Sequence, residues 1–200
     1  MRYTVVKTNV IDPDITSAEW QRAELGEIAA NRWGEYAPAP RTTFRMLRGP
    51  EGISVMMHTE EKDLKCECDV ENGNVFMDSC MEFFFKPDVN DLRYFNFEFN
   101  PAGILSLGIR TGRKNKEKID IDREVFRIVS VANEGDWTLK FYIPDDFLMT
   151  YFSEISPVCK GNFYKCGDGT DHVHYGAWSE IETATPNFHL PDFFGTIVME

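Results

Sequence analysis

The feature that most limits how this chain can fold is a two-residue alternation in its middle. In "RYFNFEFNPAG", residues 93–103, Phe95, Phe97 and Phe99 share one parity, and Tyr94, Asn96, Glu98 and Asn100 share the other. Successive side chains of a strand point to opposite faces, so as a strand this segment shows a sheet three phenyl rings on one side. Its other side carries an aromatic hydroxyl, two amides and a carboxylate. The preceding "MEFFFK" repeats the division, with Met81, Phe83 and Phe85 on one face and Glu82, Phe84 and Lys86 on the other. As neighbouring strands, the two would bury their phenyl faces together and set Glu82 beside Asn96, Glu98 and Asn100.

Turn signals place further strands around this pair. "GPEG", residues 49–52, separates two apolar-bearing runs and predicts a hairpin. Pro87 stops "DSCMEFFFK", since proline cannot donate to a ladder. "NPAG" joins "YFNFEFN" to "ILSLGIR", "ANEGD" joins "VFRIVSV" to "WTLKFYIP", and "FFGTIVME" reads as a final strand. Strands at this cadence predict an all-β chain, an antiparallel β-sandwich of immunoglobulin or jelly-roll type with short connecting helices. Two connectors carry helical signals: "TSAEWQRAEL", with Thr16 and Glu19 at capping-box offset, and "PDDFLMTYF" after Pro144. The charged run "EKIDIDREV" reads as an exposed edge or loop. No linker or repeat divides the chain, so residues 1–200 read as one domain.

Composition narrows the partners. The 200 residues include 16 Phe, which suits sheets, and a formal net charge of -12. Such a surface repels phosphate backbones and anionic lipid heads, so nucleic acid and membrane are poor partners. The amino terminus "MRYTVVKTNVIDPD" has no apolar run of signal-peptide length. As it stands the chain reads as cytoplasmic, or as secreted or periplasmic if a leader has been removed. Its five Cys are odd in number and irregularly spaced, unlike a disulfide framework.

A rigid row of amides and carboxylates suits a ligand studded with hydroxyls, because amides donate and accept while a carboxylate accepts from two hydroxyls at once. Such a row needs an apolar wall for the C–H face of a sugar ring, and Trp178, Tyr94 and Phe76 are the candidates. Glu82 and Glu98 could instead be a glycosidase pair, which needs two carboxylates about 5 to 9.5 Å apart. Neighbouring positions on an open sheet rarely give one acid the apolar pocket that raises its pKa, which weighs against hydrolysis. Cys159, Cys166, His172 and His174 could ligate zinc, but no close Cys-x-x-Cys knuckle is present. The basic run "GIRTGRKNK" lacks a P-loop ending, so a phosphate cradle is unsupported.

"DSCMEFFFKPD", "YFNFEFNPAG", "NFYKCGD" and "HYGAWSEIETATPNFHLPDFFG", in this order, resemble the family 9-like carbohydrate-binding domains. These are related to the family 9 modules of xylanases and belong to the DOMON-like sandwich group. The resemblance covers nearly the whole chain, and it implies that "AELGEI" is extended. It also implies a β-sandwich that binds saccharides of plant-polysaccharide type, such as xylan or glucan fragments, without cleaving them. By motif, Glu82 takes the carboxylate place, Asn96, Glu98 or Asn100 the neighbouring polar places, and Trp178 one wall. The other wall falls on Phe76, where the xylanase modules have Trp. Asn162, Tyr164 and Lys165 of "NFYKCGD" could close the site. The resemblance further implies structural calcium, for which Asp12/Asp14, Asp145/Asp146 and Asp168/Asp171 offer oxygen ligands. Haem, bound by some DOMON-like domains, has no fixed axial pair among Met56, Met57, His58 and Met77. A glycan-degrading enzyme is the implied protein partner, and an accessory domain with a vestigial pocket is the alternative function.

Overall fold

The computed structural model describes residues 1–200. Thirteen strands follow in chain order: β1 (Arg2–Lys7), β2 (Gly26–Glu27), β3 (Thr42–Arg48), β4 (Gly52–Thr59), β5 (Cys80–Lys86), β6 (Tyr94–Phe99) and β7 (Leu105–Arg110). The rest are β8 (Glu117–Lys118), β9 (Val129–Asn133), β10 (Asp136–Pro144), β11 (Val158–Cys166), β12 (Tyr175–Ala177) and β13 (Gly195–Met199). They form one continuous path, β8-β7-β6-β5-β11-β13-β1-β3-β4-β10-β9, with β12 beside β11 and β2 beside β3. The path curls so that its two arms meet across an aromatic core. The rings of Phe97 and Phe99 on β6 lie 5.8 and 4.7 Å from that of Phe141 on β10, and Phe44 on β3 stacks on Phe163 of β11 at 3.7 Å.

The predicted hairpins are all present. Gly49 donates to Gly52 to close the first. In the second, Gly103 donates to Asn100 at 2.8 Å with φ +70°, a left-handed conformation that glycine adopts without cost. The sheet is nevertheless mixed rather than antiparallel throughout. β1, which lies in the interior of the path, runs parallel to β13 along Arg2–Val5 and parallel to β3 along Val6–Lys7. A parallel neighbour needs a long return, and residues 8–41 supply one between β1 and β3.

Local chemistry overrides pattern in two places. "TSAEWQRAEL" makes only a 3-10 turn, Ala18–Arg22, capped by Ser17 rather than Thr16, and Glu19 turns instead to the Thr8 hydroxyl at 2.6 Å. The chain then extends through Gly26, as the family resemblance implies. "VFRIVSV" begins not as a strand but in a helical turn, α1 (Arg123–Phe126), because the Asp122 side chain caps it through Glu124 N–H. The segment after Pro144 forms the predicted helix, α2 (Asp145–Tyr151).

Candidate functional site

The parity read in β5 and β6 is realised. Met81, Phe83, Phe85, Phe95, Phe97 and Phe99 lie in the main core, while Glu82, Phe84, Tyr94, Asn96 and Glu98 take the opposite face. That face is not an open, solvated surface. A second aromatic layer covers much of it, delivered by two irregular segments around Trp33 and Phe188. The Trp33 indole N–H donates to the Thr183 carbonyl at 3.0 Å and ties the segments together. Phe188 lies flat on Tyr164 of β11 at 4.1 Å, and the Tyr164 hydroxyl donates to the Phe188 carbonyl.

The covering layer leaves an open cleft of about 550 Å³. Its floor holds Glu82 and Glu98, which are register partners across the β5–β6 ladder. Asn96 Nδ2 donates to Glu98 Oε1 at 2.7 Å, and Arg110 Nε donates to Asn96 Oδ1 at 2.8 Å, so one guanidinium and one amide hold the carboxylate in place. Glu82 accepts from the Cys166 thiol at 3.0 Å. Burial pushes the Glu82 pKa well up, and the Glu98 charge beside it pushes the same way. This acid therefore has the pocket that an open sheet was not expected to give it.

Aromatic rings form one wall. Tyr36 and Tyr175 meet edge to face at 4.9 Å, and Phe188 and Phe76 complete the lining. The Tyr175 hydroxyl donates to Asp168 at 3.0 Å. Cations form the other side: Arg110, Arg113, Lys116 and Lys118 from the β7–β8 hairpin. His189 lies between, its ring stacked on Phe84 at 4.9 Å and its Nδ1 3.0 Å from the Tyr94 hydroxyl. Burial, and then the nearby Arg110, Arg113 and Lys116 charges, press the His189 pKa down to about 3. Its ring is thus neutral, and Nδ1 shares a hydrogen bond with the Tyr94 hydroxyl.

The sequence-derived site residues divide accordingly. Glu82, Glu98 and Phe76 line the cleft. Asn96 and Tyr94 are sealed behind it and support Glu98 and His189. Asn100 belongs to the adjoining turn, where it donates to Asp78 and to the Cys68 carbonyl and accepts from Ile104 N–H. Trp178 is not a wall. It is 4% exposed, packs edge-on to Tyr3, Phe44 and Phe163 in the main core, and lies on the far side of the sheet from the cleft. Asn162 and Lys165 do not close the site either. Asn162 bonds both backbone groups of Ser179, and Lys165 is buried against Glu61 at 3.0 Å and His174 at 2.9 Å.

Tyr36, Tyr175, Phe188 and His189 escaped the sequence reading, and the basic run "GIRTGRKNK" had no place at the site in it. For Tyr175 a signal was available. In "HYGAWS" it has the opposite parity to Trp178, and β12 sets it opposite Cys166, on the cleft face. Tyr36, Phe188 and His189 sit outside regular strands, where no alternation exists to be read.

The family model for carbohydrate-binding family 9 matches residues 15–199. The chain belongs to carbohydrate-binding family 9. Family 9 modules are non-catalytic, so the raised Glu82 acid is not part of a hydrolytic pair. Among solved structures, a candidate carbohydrate-binding protein from Bacteroides uniformis ATCC 8492 is 27% identical, with a TM-score of 0.85 over 100% of this chain and 99% of that one. A family 9 module from Caldicellulosiruptor kristjanssonii in complex with cellotriose is 11% identical, with a TM-score of 0.68 over 100% and 94%. The same organism's module in complex with glucose is 10% identical, with a TM-score of 0.70 over 100% and 96%. No curated protein matches this family 9 chain.

Several of the metal candidates already have protein partners. The Asp145 carboxylate is gripped by both Arg48 nitrogens at 2.6 Å, Asp12 takes the Lys140 ammonium, and Asp168 takes the Tyr175 hydroxyl. Protein donors thus already engage carboxylates in each of the three acidic loops suggested for calcium. Cys159 and Cys166 point to opposite faces of β11, which rules out a shared zinc. Cys80, Glu82 and Cys166 do converge within 4.8 Å, but burial pushes the Cys80 thiol up to about 12, and hydrogen bonding to Cys80 together with burial raises Cys166 too. In this arrangement the Cys166 thiol donates to the buried Glu82 acid. Met57 is sealed in the core and His58 bonds Thr138 at 2.9 Å, so neither is placed to ligate haem.

Proposed function

We propose that this family 9 member binds a saccharide, without cleaving it, in the cleft floored by Glu82 and Glu98 and walled by Tyr36, Tyr175, Phe188 and Phe76. The observation that carries the reading is the meeting of two chemistries in one concavity. Hydrogen-bond acceptors on a rigid floor face aromatic surface within a space that suits a small oligosaccharide. The carboxylates accept from ring hydroxyls while an aromatic ring packs against the C–H face of the sugar. Tyr175 takes the stacking role that the sequence assigned to Trp178, with Phe76, 40% exposed, as a second surface.

The curled sheet supports a β-sandwich reading in which the cleft lies outside one layer rather than between two. The complexes of related modules with cellotriose and glucose support ligands of plant-polysaccharide type, such as glucan or xylan fragments. A glycan array probed with wild type and Glu98→Gln tests the proposal. Binding by the wild type that weakens in the variant supports it. Absence of binding to every glycan would overturn it in favour of an accessory domain that docks on a glycan-degrading enzyme.

A further inference from the structure

The basic hairpin finds no use in the account above, yet it forms a whole side of the cleft. Arg110, Arg113, Lys116 and Lys118 line it in a chain whose 33 Asp and Glu outnumber its 21 Lys and Arg. Elsewhere most arginines are matched with acids, among them Arg41 with Glu60, Arg48 with Asp145, Arg93 with Asp91 and Arg123 with Glu71. At the cleft they are not. Arg110 donates to the neutral oxygens of Asn96 and the Arg113 backbone, Lys116 to the Ser106 hydroxyl, and Lys118 to the Asn72 carbonyl. These bonds fix Arg110, Lys116 and Lys118 in place, and none of the four cations has a direct carboxylate partner.

The backbone is shaped to deliver one of these charges. Gly108 sits in the middle of β7, and a Cβ there would lie 2.7 Å from Lys116 Cε. The bare glycine lets the Lys116 stem cross the strand and carry its ammonium to Ser106, at the cleft, 2.6 Å away. The same wall faces His189, whose pKa is lowered first by burial and then by the Arg110, Arg113 and Lys116 charges.

We propose, building on the saccharide reading of this cleft, that its ligand is an anionic sugar. A uronic-acid carboxylate or a sulfate ester would be seated against Arg110, Arg113 and Lys116 while the neutral part of the ring lies over the carboxylate floor. Arginine is suited to this role because its planar fork engages a carboxylate or sulfate through two parallel N–H bonds. The four cations gather on one wall while Glu82 and Glu98 lie on the floor, so an acidic sugar has one productive orientation.

The test is calorimetric titration with trigalacturonate, triglucuronate, their methyl esters, a sulfated trisaccharide, cellotriose and xylotriose, at low and at high sodium chloride. The expected result is at least tenfold tighter binding of one acidic oligosaccharide than of its own ester, an advantage that shrinks at 1 M salt as the charges are screened. A carboxylate and a sulfate preference are told apart by which arm responds. Arg113→Gln combined with Lys118→Gln, both at exposed positions, should cut the ratio of acidic to ester affinity severalfold, with the melting temperature reporting on the fold. If cellotriose or xylotriose binds and no acidic probe binds better than its ester, the anionic inference is overturned and the saccharide reading stands. If no probe binds at all, both fall.

Discussion

Glu82 and Glu98 stand directly opposite one another across the β5–β6 ladder, two carboxylates in cross-strand register on the floor of a cleft. Like charges so placed repel, and burial removes the water that would screen them. The two effects raise the Glu82 pKa, so Glu82→Gln should stabilise the protein near neutral pH. The sign follows from linkage: a carboxyl with a raised native pKa holds its proton better folded than unfolded, and that contribution is lost as pH rises through its native pKa. Melting curves of the variant and the wild type should coincide below about pH 4 and diverge as the pH rises. A variant less stable than wild type at pH 7 would contradict this.

Glu98 is held by a different arrangement, with Asn96 donating to it and Arg110 bracing Asn96. It is the acceptor best placed to meet a sugar hydroxyl. Glu98→Gln should weaken saccharide binding by about ten- to a hundredfold, since hydrogen bonds to charged groups are worth about 1.5–3 kcal/mol. Glu82→Gln, which keeps the shape of a protonated acid, should weaken it far less. Titration of both variants with the same oligosaccharide checks the ranking.

Tyr175 and Trp178 exchange the roles that sequence suggests. Tyr175→Ala should lower affinity by about tenfold, through loss of stacking surface worth about 0.5–1.5 kcal/mol beyond its area. Trp178→Ala should cost about 3–5 kcal/mol of stability by opening a core cavity, while the molecules that remain folded bind normally. Gly195 reinforces the point, because a Cβ there would lie 2.4 Å from the Trp178 ring. Chemical denaturation combined with titration of the folded fraction separates the two effects.

The strands were legible because alternation survives wherever both faces of a ladder are used. Phe95, Phe97 and Phe99 fix the inward side of β6, and one parity argument carries Glu82 and Glu98 to the same surface. The same argument, not applied to "HYGAWS", separates Tyr175 from Trp178. What could not be read was the cover. Tyr36, Phe188 and His189 reach the cleft, with Trp33 packed behind them, through irregular segments fixed by single bonds such as Trp33 to Thr183, which leave no period in the sequence. The parallel pairing of β1 was hidden for a related reason, since its partners lie at the other end of the chain and beyond a long loop.

Acidification should destabilise the fold through two histidines. His174, buried and facing the Lys165 ammonium, is depressed to about 4, and His189 to about 3. Both are neutral in the native and unfolded states above about pH 6.5, where their full contribution is present. Below that the unfolded chain takes up protons that the native state refuses, and stability falls until the native values are reached. His189→Gln, which can still accept from Tyr94, should flatten part of this slope. An unchanged slope in thermal melts between pH 6.5 and pH 4 would contradict the assignment of His189.

The most direct measurement is a crystal structure of the protein with the tightest oligosaccharide found by titration. The account predicts a sugar in the cleft, its hydroxyls within hydrogen-bond reach of Glu98, one ring face against Tyr175 and any acidic group toward Arg110 and Lys116. A sugar bound on another surface, with Glu98 and Tyr175 untouched, would contradict it.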